Sequence, residues 1–165
     1  PPITRLDEVL RTVALEISPL IAQRDLDFGI HTEAAPVRAH EWMLRELTRN
    51  LLHNAVRHAP HGSELAVDLR CDAHHTALTI SDCGPGIEPE LAARLFQPFS
   101  AGDVRSGSGL GLAICQEIVQ ALGGSITLTN RERGTRILGL DAVVRLPLAQ
   151  HFASAAHGNP AQLSE

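Results

Sequence analysis

Apolar residues along this chain recur at two different periods, and the change of period from stretch to stretch sketches its elements. Leu6, Val9, Leu10, Val13, Ala14 and Ile17 keep helical spacing, which predicts an amphipathic helix over 4–23 that Pro19 interrupts. A longer helix is predicted over 40–58, with Leu44, Leu47, Leu51, Leu52, Ala55 and Val56 inward and a turn at 59–62 to end it. Residues 110–122 read as another, closed by Gly123-Gly124, and 90–95 as a short one. Alternation of apolar and polar residues replaces this pattern over 26–30, 64–70 and 76–81. The last two flank the polar turn 72–75 and read as a hairpin. Two more strands, 125–130 and 135–146, close around a turn at 131–134, while 100–106 is a small polar loop. From 149 onward the chain is polar, aperiodic and punctuated by Gly and Pro, which predicts a disordered tail. Helices and strands mixed in this order, around a central hairpin, predict an α+β fold with a mixed or antiparallel sheet.

Composition narrows the chemistry. At 165 residues the chain suits one domain with a real core. A net charge of −5, with no basic patch or aromatic interleaving, argues against a nucleic-acid partner. Cys71, Cys83 and Cys115 are odd in number and lack CxxC spacing, which fits a reducing cytosol better than a disulfide framework or a zinc site. No apolar run reaches the ~18–20 residues of a membrane helix, and the chain starts Pro1-Pro2 without a signal peptide, as a piece of a longer polypeptide would. The most useful absence is lysine: all 14 basic residues are arginine. Walker A loops and eukaryotic-type protein kinases both place a lysine on the phosphates, so both readings are excluded.

Four segments carry candidate chemistry. Asn50 and Asn54 stand one helical turn apart, so both amides face the same way. A carboxamide oxygen is a hard, neutral ligand suited to Mg²⁺, although a pair of solvent-facing amides is the plainer account. Asp82-Cys83-Gly84-Pro85-Gly86-Ile87 opens with a carboxylate able to accept from the adenine amine, and Gly84 and Gly86 permit close backbone approach. Taken alone it is equally a simple turn. Phe96-Gln97-Pro98-Phe99 reads as packing. Gly107-Ser108-Gly109-Leu110-Gly111-Leu112 opens a helix, and its backbone N–H groups could cradle phosphate. It lacks the spacing and the preceding strand of a dinucleotide fingerprint.

In this order the four segments resemble the N, G1, F and G2 boxes of the sensor histidine-kinase catalytic domain, a branch of the GHKL ATPase/kinase superfamily. The likeness runs from about residue 26 to 148. It implies the two-layer α/β sandwich of the Bergerat ATP-binding fold, a sheet on about three helices, with ATP as substrate and Mg²⁺ as cofactor. It divides the chain into a helix from a dimerisation hairpin (1–25), the ATP-binding domain (26–148) and the tail (149–165). It makes Asn54 the metal ligand, supported by Asn50, and gives the adenine to Asp82. Arg57 stands where the family usually has lysine, and His58 where a nucleotide contact is common, though a satisfied helix-end histidine is as good an account. Ile87, Leu110, Gly111 and Leu112 fall inside the nucleotide boxes with Gly107 and Gly109. Phe99 anchors the lid, Arg105 stands in for an arginine the lid usually carries, and Thr135 supports the adenine through water. Asn50 occupies the slot where the gyrase, MutL and chaperone branches hold a water-activating glutamate; an amide has no such basicity, which favours a kinase. The implied partners are a phosphoacceptor histidine on the chain's own dimerisation domain and a response regulator. The implied setting is the cytoplasmic side of an inner-membrane sensor, the parent a homodimer and this piece a monomer. An anti-sigma serine kinase, a small ATPase and a non-catalytic nucleotide-sensing module are the alternatives.

Overall fold

The computed structural model describes residues 1–94, 96 and 111–149. The order is β1 (Ile3–Arg5), α1 (Leu6–Glu16), α2 (Ser18–Gln23), β2 (Asp27–His31), β3 (Pro36–Arg38), α3 (Glu41–His58), β4 (Glu64–Cys71), β5 (His75–Asp82), α4 (Pro89–Arg94), α5 (Gly111–Ala121), β6 (Ser125–Arg133) and β7 (Arg136–Pro147). Five strands form one sheet in the order β2-β4-β5-β7-β6, and β1 pairs with β3 in a small separate ribbon. The β2–β4 pair is parallel and the other three are antiparallel, so the sheet is mixed.

Alternation along the strands puts one face of the sheet under α1, α3 and α5. Leu65, Val67 and Leu69 of β4 and Leu78 and Ile80 of β5 are buried on that face, in register as Val67↔Ile80 and Leu69↔Leu78. Leu10 and Val13 of α1, Leu44, Leu47 and Leu52 of α3, and Cys115 and Val119 of α5 cover them, each fully buried. Burial pushes the Cys115 thiol up to about 12, with Glu46 adding to it, so this cysteine packs as an apolar residue and is no nucleophile. The α/β sandwich foreseen from the resemblance is the fold observed.

Three details depart from the sequence-based sketch. The helix expected over 4–23 breaks at Ile17, and α2 begins with Pro19 in its first turn. Proline has no N–H to give Leu15, and its ring crowds that carbonyl. Next, α1 is a wall of the core, with Leu6, Leu10, Val13 and Ile17 each no more than 2% exposed, and does not stand outside the sandwich as a bare linker would. Lastly, the three-residue strands β1 and β3 went unforeseen because they are too short to show a period.

Asp7 stitches this ribbon to α1. Its carboxylate accepts from the Ala35 N–H at 3.0 Å and from Arg5 at 2.9 and 2.7 Å. Burial pushes its pKa up, but the Arg5 guanidinium and the Ala35 N–H outweigh this and hold it below the ordinary carboxylate value. A lowered folded pKa means that the stabilisation is present at neutral pH and fades as pH falls below about 4. Asp7→Ala strands a buried N–H and is expected to cost about 1–3 kcal/mol in urea unfolding at pH 7, with the difference from wild type shrinking towards pH 3.

Candidate functional site

Asn50, Asn54 and His58 follow one another at single turns along α3 and form one half-buried stripe beside the helix's apolar face. Asn50 is tied down: its Nδ2 donates to the Glu46 carbonyl at 2.8 Å and to the Glu46 carboxylate at 3.4 Å. Glu46 in turn pairs with Arg49. The Asn54 amide accepts or donates no hydrogen bond among the described residues, nor is any fully buried polar atom left unpaired. A half-buried amide of this kind offers its oxygen to a ligand. Arg57 is exposed and is among the residues lining a groove of about 510 Å³ with Arg24, His53 and His61. Burial there, together with the charges of Arg49 and Arg57, lowers the His53 pKa and favours the neutral ring.

Asp82 is the last residue of β5, 4% exposed, and pairs in register with Leu140 of β7. Its Oδ1 accepts from the Gly84 N–H at 2.8 Å, folding the chain back in an Asx turn. Gly84 lies against the end of α3, since a Cβ placed there would stand 2.7 Å from the His58 carbonyl oxygen. That approach is what joins the Asp82 loop to the Asn50–His58 stripe, two segments far apart in sequence. Gly86 has φ +74° and is buried, and Ile87 is 6% exposed.

The start of α5 brings in the third segment. Gly111 and Leu112 are buried, and Leu112 joins the core. The helix lies against α3, where the Cys115 thiol approaches the Leu47 carbonyl at 3.8 Å. Phe96 is half-buried and packs on the core as expected. Phe99, Arg105, Gly107, Gly109 and Leu110 lie outside the described residues. Among the described residues no three His, Cys, Asp or Glu side chains gather for a metal.

Thr135 requires correction. It is exposed at the β6–β7 turn, five positions beyond Leu140, the partner of Asp82. At about 3.3 Å per residue that is on the order of 17 Å along the strand, too far to support a base held at Asp82. The residue pair opposite Asp82 is Gly139-Leu140. The sequence reading also missed Asn130 and Arg131, which hold the Asp82 loop. Asn130 Oδ1 accepts from the Ile87 N–H at 2.8 Å and its Nδ2 donates to the Ile87 carbonyl at 2.6 Å. An asparagine inside an otherwise β-favouring run was the only signal.

Comparison with known proteins shows the family and the fold. Residues 39–150 match the family described as histidine kinase-, DNA gyrase B-, and HSP90-like ATPases. The sensor protein QseC of Salmonella typhi is 33% identical over 144 residues, covering 85% of this chain and 30% of QseC. The chain thus spans under a third of that relative's length. The mycobacterial sensor histidine kinase MprB superposes with a TM-score of 0.78 at 28% identity, covering 89% of this chain and 97% of that one. The histidine kinase ThkA, in a complex with the response regulator TrrA, superposes with a TM-score of 0.75 at 25% identity, covering 90% of this chain and 42% of that one. No helix among the described residues is long and apolar enough to cross a membrane.

Proposed function

We propose that this chain, which belongs to the family of histidine kinase-, DNA gyrase B-, and HSP90-like ATPases, binds Mg-ATP and presents its γ-phosphate to a histidine on a separate dimerisation domain. The observation that supports the reading is the close approach of Gly84 to the His58 carbonyl, which brings the Asp82 loop against the end of α3. In this reading Asp82 accepts from the adenine amine. Gly84, Gly86 and Ile87 shape the turn around the base, and Gly111 and Leu112 place the N-terminus of α5 near the phosphates. Phe99 and Arg105 keep the lid roles, and Gly107, Gly109 and Leu110 the phosphate-cradle roles, that the resemblance gives them. Asn54 holds Mg²⁺, which neutralises charge on the phosphates when bound. Asn50, fixed by Glu46, supports it, while His58 borders the nucleotide and Arg57 reaches towards phosphate.

The protein's own part is positioning. At the Asn50 position, where other branches hold a water-activating glutamate, the amide offers no base, and the neighbouring Glu46 is engaged by Arg49. That favours transfer to a histidine over hydrolysis. The receiving histidine and the response regulator lie outside this chain, and the ThkA–TrrA complex supports the second of these partners. A dimeric parent, anchored in a membrane with this domain on the cytoplasmic side, completes the proposal. The decisive test supplies the missing histidine-bearing hairpin with γ-labelled ATP and Mg²⁺. Acid-labile label on the hairpin histidine is the expected result. Nucleotide binding without any transfer would favour a sensing module instead.

A further inference from the structure

Two neighbouring residues of β6 grip both ends of the loop that carries Asp82. At its first residue, Arg131 NH2 donates to the Asp82 carbonyl at 2.7 Å. The same guanidinium reaches β7, where NH1 contacts the Leu140 carbonyl at 3.2 Å and the Asp141 carboxylate at 2.6 Å. At the loop's last residue, the Asn130 amide satisfies both the N–H and the C=O of Ile87. An amide that bonds both backbone groups of one residue replaces a neighbouring strand just where β5 has left the sheet.

The glycines nearby are shaped to this grip. A Cβ on Gly139 would fall 1.9 Å from the Asp82 carbonyl oxygen and 2.4 Å from Arg131 NH2. A Cβ on Gly86 would fall 2.5 Å from Asn130 Oδ1. Side chains at either position would displace the bonds themselves. Six residues are thus pinned at both ends by β6 and pressed in the middle, through Gly84, against α3. Such a loop has lost its freedom before any ligand arrives, and binding need not order it.

We infer that Asn130 and Arg131 are positioning residues which preset the Asp82 carboxylate, and that they set the preference for an adenine base without touching the nucleotide. This rests on the reading of Asp82 as the adenine contact. The test compares Asn130→Ala, Arg131→Ala, Arg131→Lys and Asp82→Asn in their binding of ATP, GTP and inorganic tripolyphosphate, all with Mg²⁺. Asn130→Ala and Arg131→Ala are expected to weaken ATP about 3- to 10-fold each, with tripolyphosphate unchanged within about twofold and the ATP-over-GTP ratio reduced. Arg131→Lys, which keeps a donor for the Asp82 carbonyl, should recover most of the loss. Amide exchange should quicken at Ile87 in Asn130→Ala while the core strands stay protected. If Asn130→Ala does not fold, Asn130→Asp decides, because it keeps the acceptor for the Ile87 N–H and turns the donor that faced the Ile87 carbonyl into a charged acceptor. Folded variants that bind ATP as wild type does overturn the inference. Equal losses for ATP and tripolyphosphate overturn it too, since they reflect general damage. Should Asp82→Asn itself bind ATP normally, the adenine reading fails, a result distinct from a failed clamp beside a weakened Asp82→Asn.

Discussion

Asp82→Asn should weaken ATP binding by roughly 10- to 100-fold, the worth of a hydrogen bond to a charged, buried acceptor. The substitution is nearly isosteric, and an amide oxygen can still accept from the Gly84 N–H that folds the turn. The Arg131 bond goes to the Asp82 backbone carbonyl and survives the change. Unfolding temperature should therefore stay within a few degrees of wild type while affinity collapses. Titration of a fluorescent ATP analogue, beside a thermal melt, separates the two. Unchanged affinity would remove Asp82 from the site and with it the central element of the functional reading.

Asn54→Ala should move stability and activity in opposite directions. The Asn54 amide bonds to nothing among the described residues, so its loss strands no partner. Alanine is also the better helix former in the middle of α3, by about half a kcal/mol. The variant should consequently be as stable as wild type or slightly more so. Phosphotransfer to an added histidine hairpin should fall on the order of a hundredfold, and a higher Mg²⁺ concentration should restore part of it. Measured with and without Mg²⁺, nucleotide affinity should lose its metal dependence. A variant as active as wild type at limiting Mg²⁺ would take the metal away from Asn54. Asn50→Ala offers a contrast, because Asn50 donates to the Glu46 carbonyl and carboxylate and its removal takes those bonds away.

Much of this was legible because the relevant signals are local. The inner stripe of α3, the β4–β5 hairpin and the helix from Gly111 each declare themselves by period, and the observed elements fall within a few residues of those expected. The N, G1 and G2 segments are short, and their glycines and amides are diagnostic as a set. Thr135 failed for the opposite reason. A Gly-Thr pair near the chain's end suits a known box, but the pairing register of β7 decides which residue faces Asp82, and register depends on the sheet. The clamp by Asn130 and Arg131 escaped notice because it spans 43 and 49 positions of sequence.

Residue types and their order along the chain thus pointed to the ligand class: the absence of lysine removes the Walker A and eukaryotic-type kinase readings, and, on the resemblance, an amide where other branches hold glutamate speaks against hydrolysis. Neither conclusion depends on where the atoms sit. Tertiary structure alone decided that α1 belongs to the core, that Gly84 meets α3, and that β6 grips the Asp82 loop. Each of these is a contact between distant segments, set by how an amphipathic helix and a mixed sheet bury their apolar faces together, and such contacts leave no period in the sequence.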